Sequence, residues 1–215
     1  RPDIPSEDFV TGYDVAKLLL EKGANPNMQL KLRPPYRNAI FDRGSDNVLA
    51  EGATPLIRAA RAADNASVEL LLEHGALVDL PNARGQTPLL IVSGIDWSAA
   101  PTRGRYKTEE DSIETIRILL AHGANINAVT GDPSKRPEVD IADGNRGAAL
   151  EAASRGFAVT DGQNALHATA KTGWNKIAKF LIDNGIQQQL VDSSQRTPYD
   201  LALGRYPAGY NQPPT

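Results

Sequence analysis

A spacing of 33 residues constrains the fold of this chain more than any other feature of the sequence. The triplet Thr54-Pro55-Leu56 recurs as Thr87-Pro88-Leu89, and the step from Asn164 to Thr197 has the same length. A repeat of this period is typical of stacked units, each of which is too small to bury its own apolar face. The chain is therefore predicted to fold as a row of similar units.

Local signals within one period predict two helices. The Thr54 hydroxyl can cap a helix whose first residue is Pro55, because that position tolerates the missing N–H and favours the fixed φ of proline. A second helix is predicted through the apolar residues of 68–72. Gly75 can end this helix in the left-handed conformation, and His74 precedes it where free carbonyls accept hydrogen bonds.

With Thr-Pro-Leu at its start and Leu-Leu-Glu-His-Gly-Ala at 71–76, the unit resembles the ankyrin repeat. The long inserted loops resemble those of bacterial ankyrin proteins. The resemblance implies an all-α fold, an ankyrin repeat solenoid of helix-turn-helix units with extended finger loops between repeats and three insertions.

The spacing between helix-ending glycines locates the insertions, because Gly23, Gly75, Gly123 and Gly185 are all more than 33 residues apart. We predict a single ankyrin repeat domain, 1–215, that consists of a half repeat 11–27, repeats 53–80, 86–128 and 163–189, a half repeat 196–204, finger insertions 28–52 and 129–160, and a helix–helix insertion 93–107. Since both terminal units are incomplete, the chain is interpreted as a processed or trimmed section of a longer protein.

Composition bounds the class of protein. A hydrophobic content of 40% and a charged content of 23% are typical of a globular chain, and no apolar run approaches the ~20 residues that span a bilayer. The net charge of −3 gives no electrostatic reason to expect nucleic-acid binding. The absence of cysteine excludes disulfides and cysteine-ligated zinc, and it slightly favours a periplasmic or extracellular location over the cytoplasm.

The sequence offers little for catalysis. Its three histidines, His74, His122 and His167, all occupy regular positions of the repeat, where structural hydrogen bonding is their expected role. It contains no Gly-x-Ser-x-Gly elbow, no phosphate-binding glycine loop and no His-Glu-x-x-His helix. We therefore predict a protein that is not an enzyme and binds no cofactor.

The acidic loop 132–145 raises the question of calcium, since oxygen ligands are crowded there near glycines. The spacing of Asp140, Asp143 and Asn145 does not fit the EF-hand loop, and the alternative is a plain acidic loop. Both readings stay open, and no metal site is predicted.

Resemblance to ankyrin proteins implies that the partner is another protein, bound by the concave face of the first helices and by the finger loops. Alignment of the repeats places five residues at outward positions of those helices: Arg58, Arg61, Ile91, Ala168 and Lys171. Arg58 and Arg61 are favoured, because guanidinium groups pair well with carboxylates.

Two insertions contain residue types that serve as interface anchors. The first insertion has Arg33, Tyr36 and Arg37, and its alternative interpretation is a solvated loop. The second has Trp97, Arg103, Arg105 and Tyr106, although Trp97 can instead cover the top of a helix pair. The second insertion is followed by Thr108, which is predicted to cap a helix whose first turn contains the carboxylates of 109–111.

Two alternative functions are open. The incomplete units at the two ends are complementary, so copies of the chain could stack end to end into an oligomer or filament. The chain could also be the binding section of a larger enzyme or toxin.

Overall fold

A computed structural model describes residues 10–30, 52–82, 84–95, 107–131 and 162–204. These ranges contain helices and no strand. In chain order the helices are α1 (Gly12–Glu21), α2 (Pro55–Ala62), α3 (Asn65–Glu73), α4 (Pro88–Val92), α5 (Glu109–Ala121), α6 (Ala165–Thr172), α7 (Asn175–Asp183) and α8 (Pro198–Ala202).

The first helix of each described repeat begins where the sequence predicts it. The Thr54 hydroxyl accepts a hydrogen bond from the Ile57 N–H at 3.1 Å, and Pro55 is the first residue of α2. Thr87, Asn164 and Thr197 cap α4, α6 and α8 in the same way. The predicted caps are therefore confirmed.

The second helices end as predicted. Gly75 has a φ of +86°, and the Nδ1–H of His74 donates to the Leu70 carbonyl at 2.8 Å. Thr108 caps α5 in a reciprocal arrangement with Asp111, so the predicted early start of this helix is confirmed. As a result α5 has 13 residues, whereas α3 and α7 each have 9.

The helices pack in two layers. The first helices α2, α4, α6 and α8 lie side by side in this order, and the second helices α3, α5 and α7 form the other layer. Apolar side chains from both layers meet in one core, with residues such as Leu56, Leu89, Ile116 and Leu181 at most 1% exposed. Helix α1 differs from the others because it contributes no buried residue.

The turns between repeats share one hydrogen-bond pattern. In the two short turns, the N–H of Asn82 donates to the Gln86 carbonyl at 3.0 Å, and the N–H of Asp192 donates to the Arg196 carbonyl at 2.9 Å. The two long connections keep this bond, since Leu30 donates to Ala53 at 3.0 Å and Thr130 donates to Gln163 at 3.0 Å. The ends of each long connection are thus held together as closely as the ends of a short turn.

A second set of bonds joins neighbouring repeats. The side chain four residues after Gly23, Gly75 and Gly123 accepts from a backbone N–H of the next repeat: Asn27 from Leu77 at 2.8 Å, Asp79 from Asn125 at 2.9 Å, and Asn127 from Gln187 at 2.8 Å. Each bond links positions at least 46 residues apart. Short polar side chains thus fix the stacking of one repeat on the next.

Candidate interaction surface

The outward positions of the first helices are not equally accessible. Arg58 in α2 and Lys171 in α6 are exposed. Ile91 and Ala168, at the positions that correspond to Arg58, are 0% and 1% exposed. The predicted outward face is therefore open at Arg58 and closed at the two equivalent positions.

Arg61 corrects the sequence prediction, because its side chain is only 2% exposed. It lies one helical turn after Ile57 and shares the buried side of α2. The equivalent Lys171 is exposed, so the packing around each helix, rather than helical position alone, decides accessibility. Ile91 is buried together with all other residues of α4, as expected for a helix that is apolar on every side.

The remaining predicted contact residues lie outside the described ranges. These are Arg33, Tyr36, Arg37, Trp97, Arg103, Arg105 and Tyr106, and the same holds for nearly all of the finger insertions and for the acidic loop 132–145. Their roles stay predictions.

His167 has the structural role that the sequence suggests. The side chain is fully buried, its Nε2–H donates to the Arg196 carbonyl at 3.0 Å, and its Nδ1 faces Asn164, 3.3 Å from the backbone nitrogen and 2.7 Å from Oδ1. Burial lowers the pKa of His167 below the ordinary value for histidine. The imidazole therefore connects the start of α6 to the following turn.

The buried carboxylate of Asp192, beside His167, was not predicted from the sequence. Oδ2 of Asp192 accepts from Gln163 Nε2 at 3.1 Å and from the Nε and Nη2 of Arg196 at 3.1 and 2.8 Å. Burial alone raises the pKa of Asp192, but these hydrogen bonds and the Arg196 charge together lower it. Arg196 lies in the same turn as Asp192, and Gln163 lies in the adjacent connection between repeats. The cluster therefore stabilises the turn and presents no free group to a substrate.

The carboxylates at the start of α5 bind groups at the start of α7. Oε2 of Glu109 accepts from the backbone N–H of Lys176 at 2.8 Å and of Ile177 at 3.2 Å, while Glu110 pairs with the Lys176 ammonium group. Helix α7 needs this partner because its own N-cap residue, Trp174, makes no capping bond. The sequence assigned these carboxylates only to the first turn of α5, which misses their contact with α7.

Trp174 packs against the core, and Lys107 lies over it with Nζ 4.9 Å from the ring centroid. Across the described ranges, no helix combines the length and the apolar character that crossing a membrane requires. In the same residues, histidine, aspartate and glutamate side chains nowhere form a group of three that could hold a metal ion.

Comparison with known proteins identifies the repeat. The family model of the ankyrin repeat matches residues 51–83. The chain is also similar to the transient receptor potential cation channel subfamily A member 1 homolog of Caenorhabditis elegans, with 32% identity over 96 residues. That match covers 42% of this chain and 8% of the channel. The described ranges contain helices and no strand. Together with the repeat match, this confirms the predicted all-α ankyrin repeat fold.

Proposed function

Because this chain carries the ankyrin repeat, a non-catalytic fold that generally mediates protein–protein interaction, we propose that it binds another protein through outward side chains of its first helices. The open part of this surface contains Arg58 of α2 and Lys171 of α6. The finger insertions, with Arg33, Tyr36, Trp97, Arg103, Arg105 and Tyr106, extend the surface in this proposal.

The observation that carries the proposal is the exposure of Arg58 in the middle of α2, between buried residues on both sides. Leu56, Ile57, Ala59 and Ala60 of α2 are all at most 7% exposed, while Arg58 points away from them. An arginine is well suited to such a position, because its planar guanidinium can pair with a carboxylate in two parallel hydrogen bonds. The partner surface is therefore expected to be acidic where it meets Arg58.

Affinity capture with charge-reversed variants tests this surface. We expect the double variant Arg58→Glu, Lys171→Glu to lose a protein that the native chain captures from an extract of its source. Lys179→Glu is the matched control, since Lys179 is equally a surface lysine but lies on the second helix α7. If the double variant and the native chain capture the same proteins in the same amounts, the proposed surface is wrong.

A second function is favoured by the partial match to the channel. The aligned segment is a small part of that much longer protein, so we also propose that this chain is the binding section of a larger protein, such as an enzyme or toxin. Intact mass spectrometry of the protein purified from its source tests this proposal, because a mass equal to that of these 215 residues contradicts it. Bacterial origin and a location outside the cytoplasm stay predictions.

A further inference from the structure

Helix α7 is followed by the sole Asn-Gly pair of the sequence, Asn184-Gly185. Asn184 occupies the position of His74 and His122, which follow α3 and α5 and precede their helix-ending glycines. Where those repeats have an imidazole, this repeat has a side-chain amide. The amide lies next to a residue that has no side chain of its own.

An asparagine before glycine can lose its side-chain amide without an enzyme. The main-chain nitrogen of Gly185 forms a bond to Cγ of Asn184, the bond from Cγ to Nδ2 breaks, and Nδ2 leaves as ammonia with the proton of the attacking nitrogen. Water then opens the five-membered imide at one of its two carbonyls and leaves aspartate or isoaspartate. Glycine favours ring closure because it lacks a Cβ and restricts the backbone least.

The structure leaves room for this reaction at the end of α7. Ile182, Asp183, Asn184 and Gly185 are all exposed, so little packing holds this end in place. A Cβ on Gly185 would meet nothing within 4 Å, so the space beside this residue is open. The Gly185 N–H donates to the Ile182 carbonyl at 3.0 Å, and ring closure requires this bond to open. Helix ends open in this way more readily than packed helix centres.

We propose that Asn184 is a site of spontaneous deamidation in the folded protein, and that the reaction loosens the end of α7 and its link to the preceding repeat. The site is a covalent modification site on a second helix. It is separate from the first-helix surface that contains Arg58 and Lys171, so the inference goes beyond the function proposed above.

Aspartate at position 184 removes a hydrogen bond that ends the helix. Nδ2 of Asn184 donates to the Phe180 carbonyl at 2.7 Å, just as the Nδ1–H of His74 donates to the Leu70 carbonyl at 2.8 Å. An ionised carboxylate has no proton to donate, and its charge lies at the negative end of the helix dipole. Deamidation to aspartate therefore replaces a stabilising donor with an unfavourable charge.

Isoaspartate at position 184 also changes the main chain, which then runs through the side-chain carbon and is longer by one CH₂ group. The next donors along the chain are precisely placed: the Ile186 N–H donates to the Leu181 carbonyl at 3.2 Å, and the Gln187 N–H donates to Asn127 Oδ1 at 2.8 Å. A longer main chain moves both donors away from their acceptors. The bond from Gln187 joins two repeats, so the junction is weakened together with the helix end.

Ageing of the folded protein, followed by peptide mapping, tests the site. The native chain is kept without denaturant in a warm, mildly alkaline buffer. Cleavage by trypsin after Lys179 and Arg196 then releases the peptide 180–196, in which Asn184 is the sole asparagine. We expect this peptide to gain about 1 Da before any other asparagine-containing peptide does. Its two products should co-elute with synthetic peptides that contain aspartate and isoaspartate at position 184, and an unincubated sample corrects for conversion during digestion.

The synthetic peptide 180–196 with asparagine is the rate reference, and it should convert faster than the folded chain. Asn184→His is the matched control, because it places the residue found at positions 74 and 122 before the glycine. This variant should gain no mass in the peptide 180–196 and should keep the native urea midpoint. The aged native chain and the Asn184→Asp variant should both have a lower midpoint.

Three results overturn the proposal. A native chain that stays unmodified after the free peptide has fully converted shows that the helix end protects Asn184. Earlier conversion at another asparagine places the reaction elsewhere. An Asn184→Asp variant and an aged chain that both keep the native midpoint show that the reaction does not loosen α7.

Discussion

Asn27 and Asp79 occupy the same position of successive repeats, but only Asn27 uses both ends of its side chain. Its Oδ1 accepts from the Leu77 N–H at 2.8 Å, and its Nδ2 donates to the Gly75 carbonyl at 3.0 Å. Asp79 makes the first of these bonds, with the Asn125 N–H, but its Oδ1 is buried without a hydrogen-bond partner. Asp79 therefore leaves one oxygen without a hydrogen bond at a position where the Asn27 amide makes two.

We predict that Asp79→Asn stabilises the protein by about 1 kcal/mol at neutral pH, because a buried acceptor without a partner is replaced by a potential donor. The midpoint of urea unfolding measures this effect. Asn127→Asp is the reverse control at the next repeat and should lower the midpoint.

The stabilisation from Asp79→Asn should also depend on pH. Burial raises the pKa of Asp79 above its ordinary value, against the opposing effect of the Asn125 hydrogen bond. An acid with a raised pKa in the folded state destabilises that state as pH rises above its unfolded pKa, about 3.9. The gain should thus be largest at neutral pH and should vanish in acid. An equal gain at every pH would contradict this account.

His167 should make the protein less stable as pH falls below about 6.5, the ordinary pKa of histidine. Its pKa is lowered by burial, so the unfolded chain takes up the proton first and the folded state loses stability between the two pKa values. One proton contributes at most about 1.4 kcal/mol per pH unit. Urea midpoints between pH 5 and pH 8 should show this slope in the native chain. In His167→Gln the part of the slope that is due to this residue should be absent.

Glu109→Ala should destabilise the protein by about 1 kcal/mol, the typical cost of a lost helix cap, because the first N–H groups of α7 lose their acceptor. Glu110→Ala is the matched control, since Glu110 forms an exposed ion pair with the Lys176 side chain, which solvent screens, so its loss should cost less. Thermal unfolding of the two variants compares them directly. Equal shifts would show that the capping bonds of Glu109 do not matter.

Gly94→Ala should destabilise the protein more than Gly123→Ala. Both glycines have a positive φ, +99° and +87°, so both substitutions strain the backbone. A Cβ at Gly94 would also lie 2.8 Å from Cζ3 of Trp174, whereas a Cβ at Gly123 has nothing within 4 Å. The difference between the two urea midpoints measures the contact with Trp174, and a difference of zero would mean that the ring moves without cost.

Local chemistry determined how much of this fold could be predicted. Each described first helix begins at a cap residue, mostly threonine before proline, and Gly75 ends α3, because these signals act within a few residues along the chain. Contacts between distant segments had no such signal. Glu109 and Lys176 are 67 residues apart, and a glutamate in a first turn is already explained by its own helix.

The candidate surface was less predictable for the same reason. Repeat alignment gives Arg61 and Lys171 equivalent positions, yet one is buried and the other exposed. Alignment reports the direction of a side chain from its own helix, but exposure depends on everything packed around that helix. The Asp192 cluster had one signal that could have revealed it, namely its position opposite Arg196 in a turn that matches the turn from Asn82 to Gln86.

The paired bonds at Leu30–Ala53 and Thr130–Gln163 have a consequence for how this protein can change. Because the ends of both long connections are held in the geometry of a short turn, we expect these bonds to keep the flanking helices in place when the segment between them is exchanged. Doubling the length of a flexible loop costs only about 0.6 kcal/mol. The two connections are therefore positions where evolution, or an engineer, can graft a new recognition segment onto an unchanged scaffold.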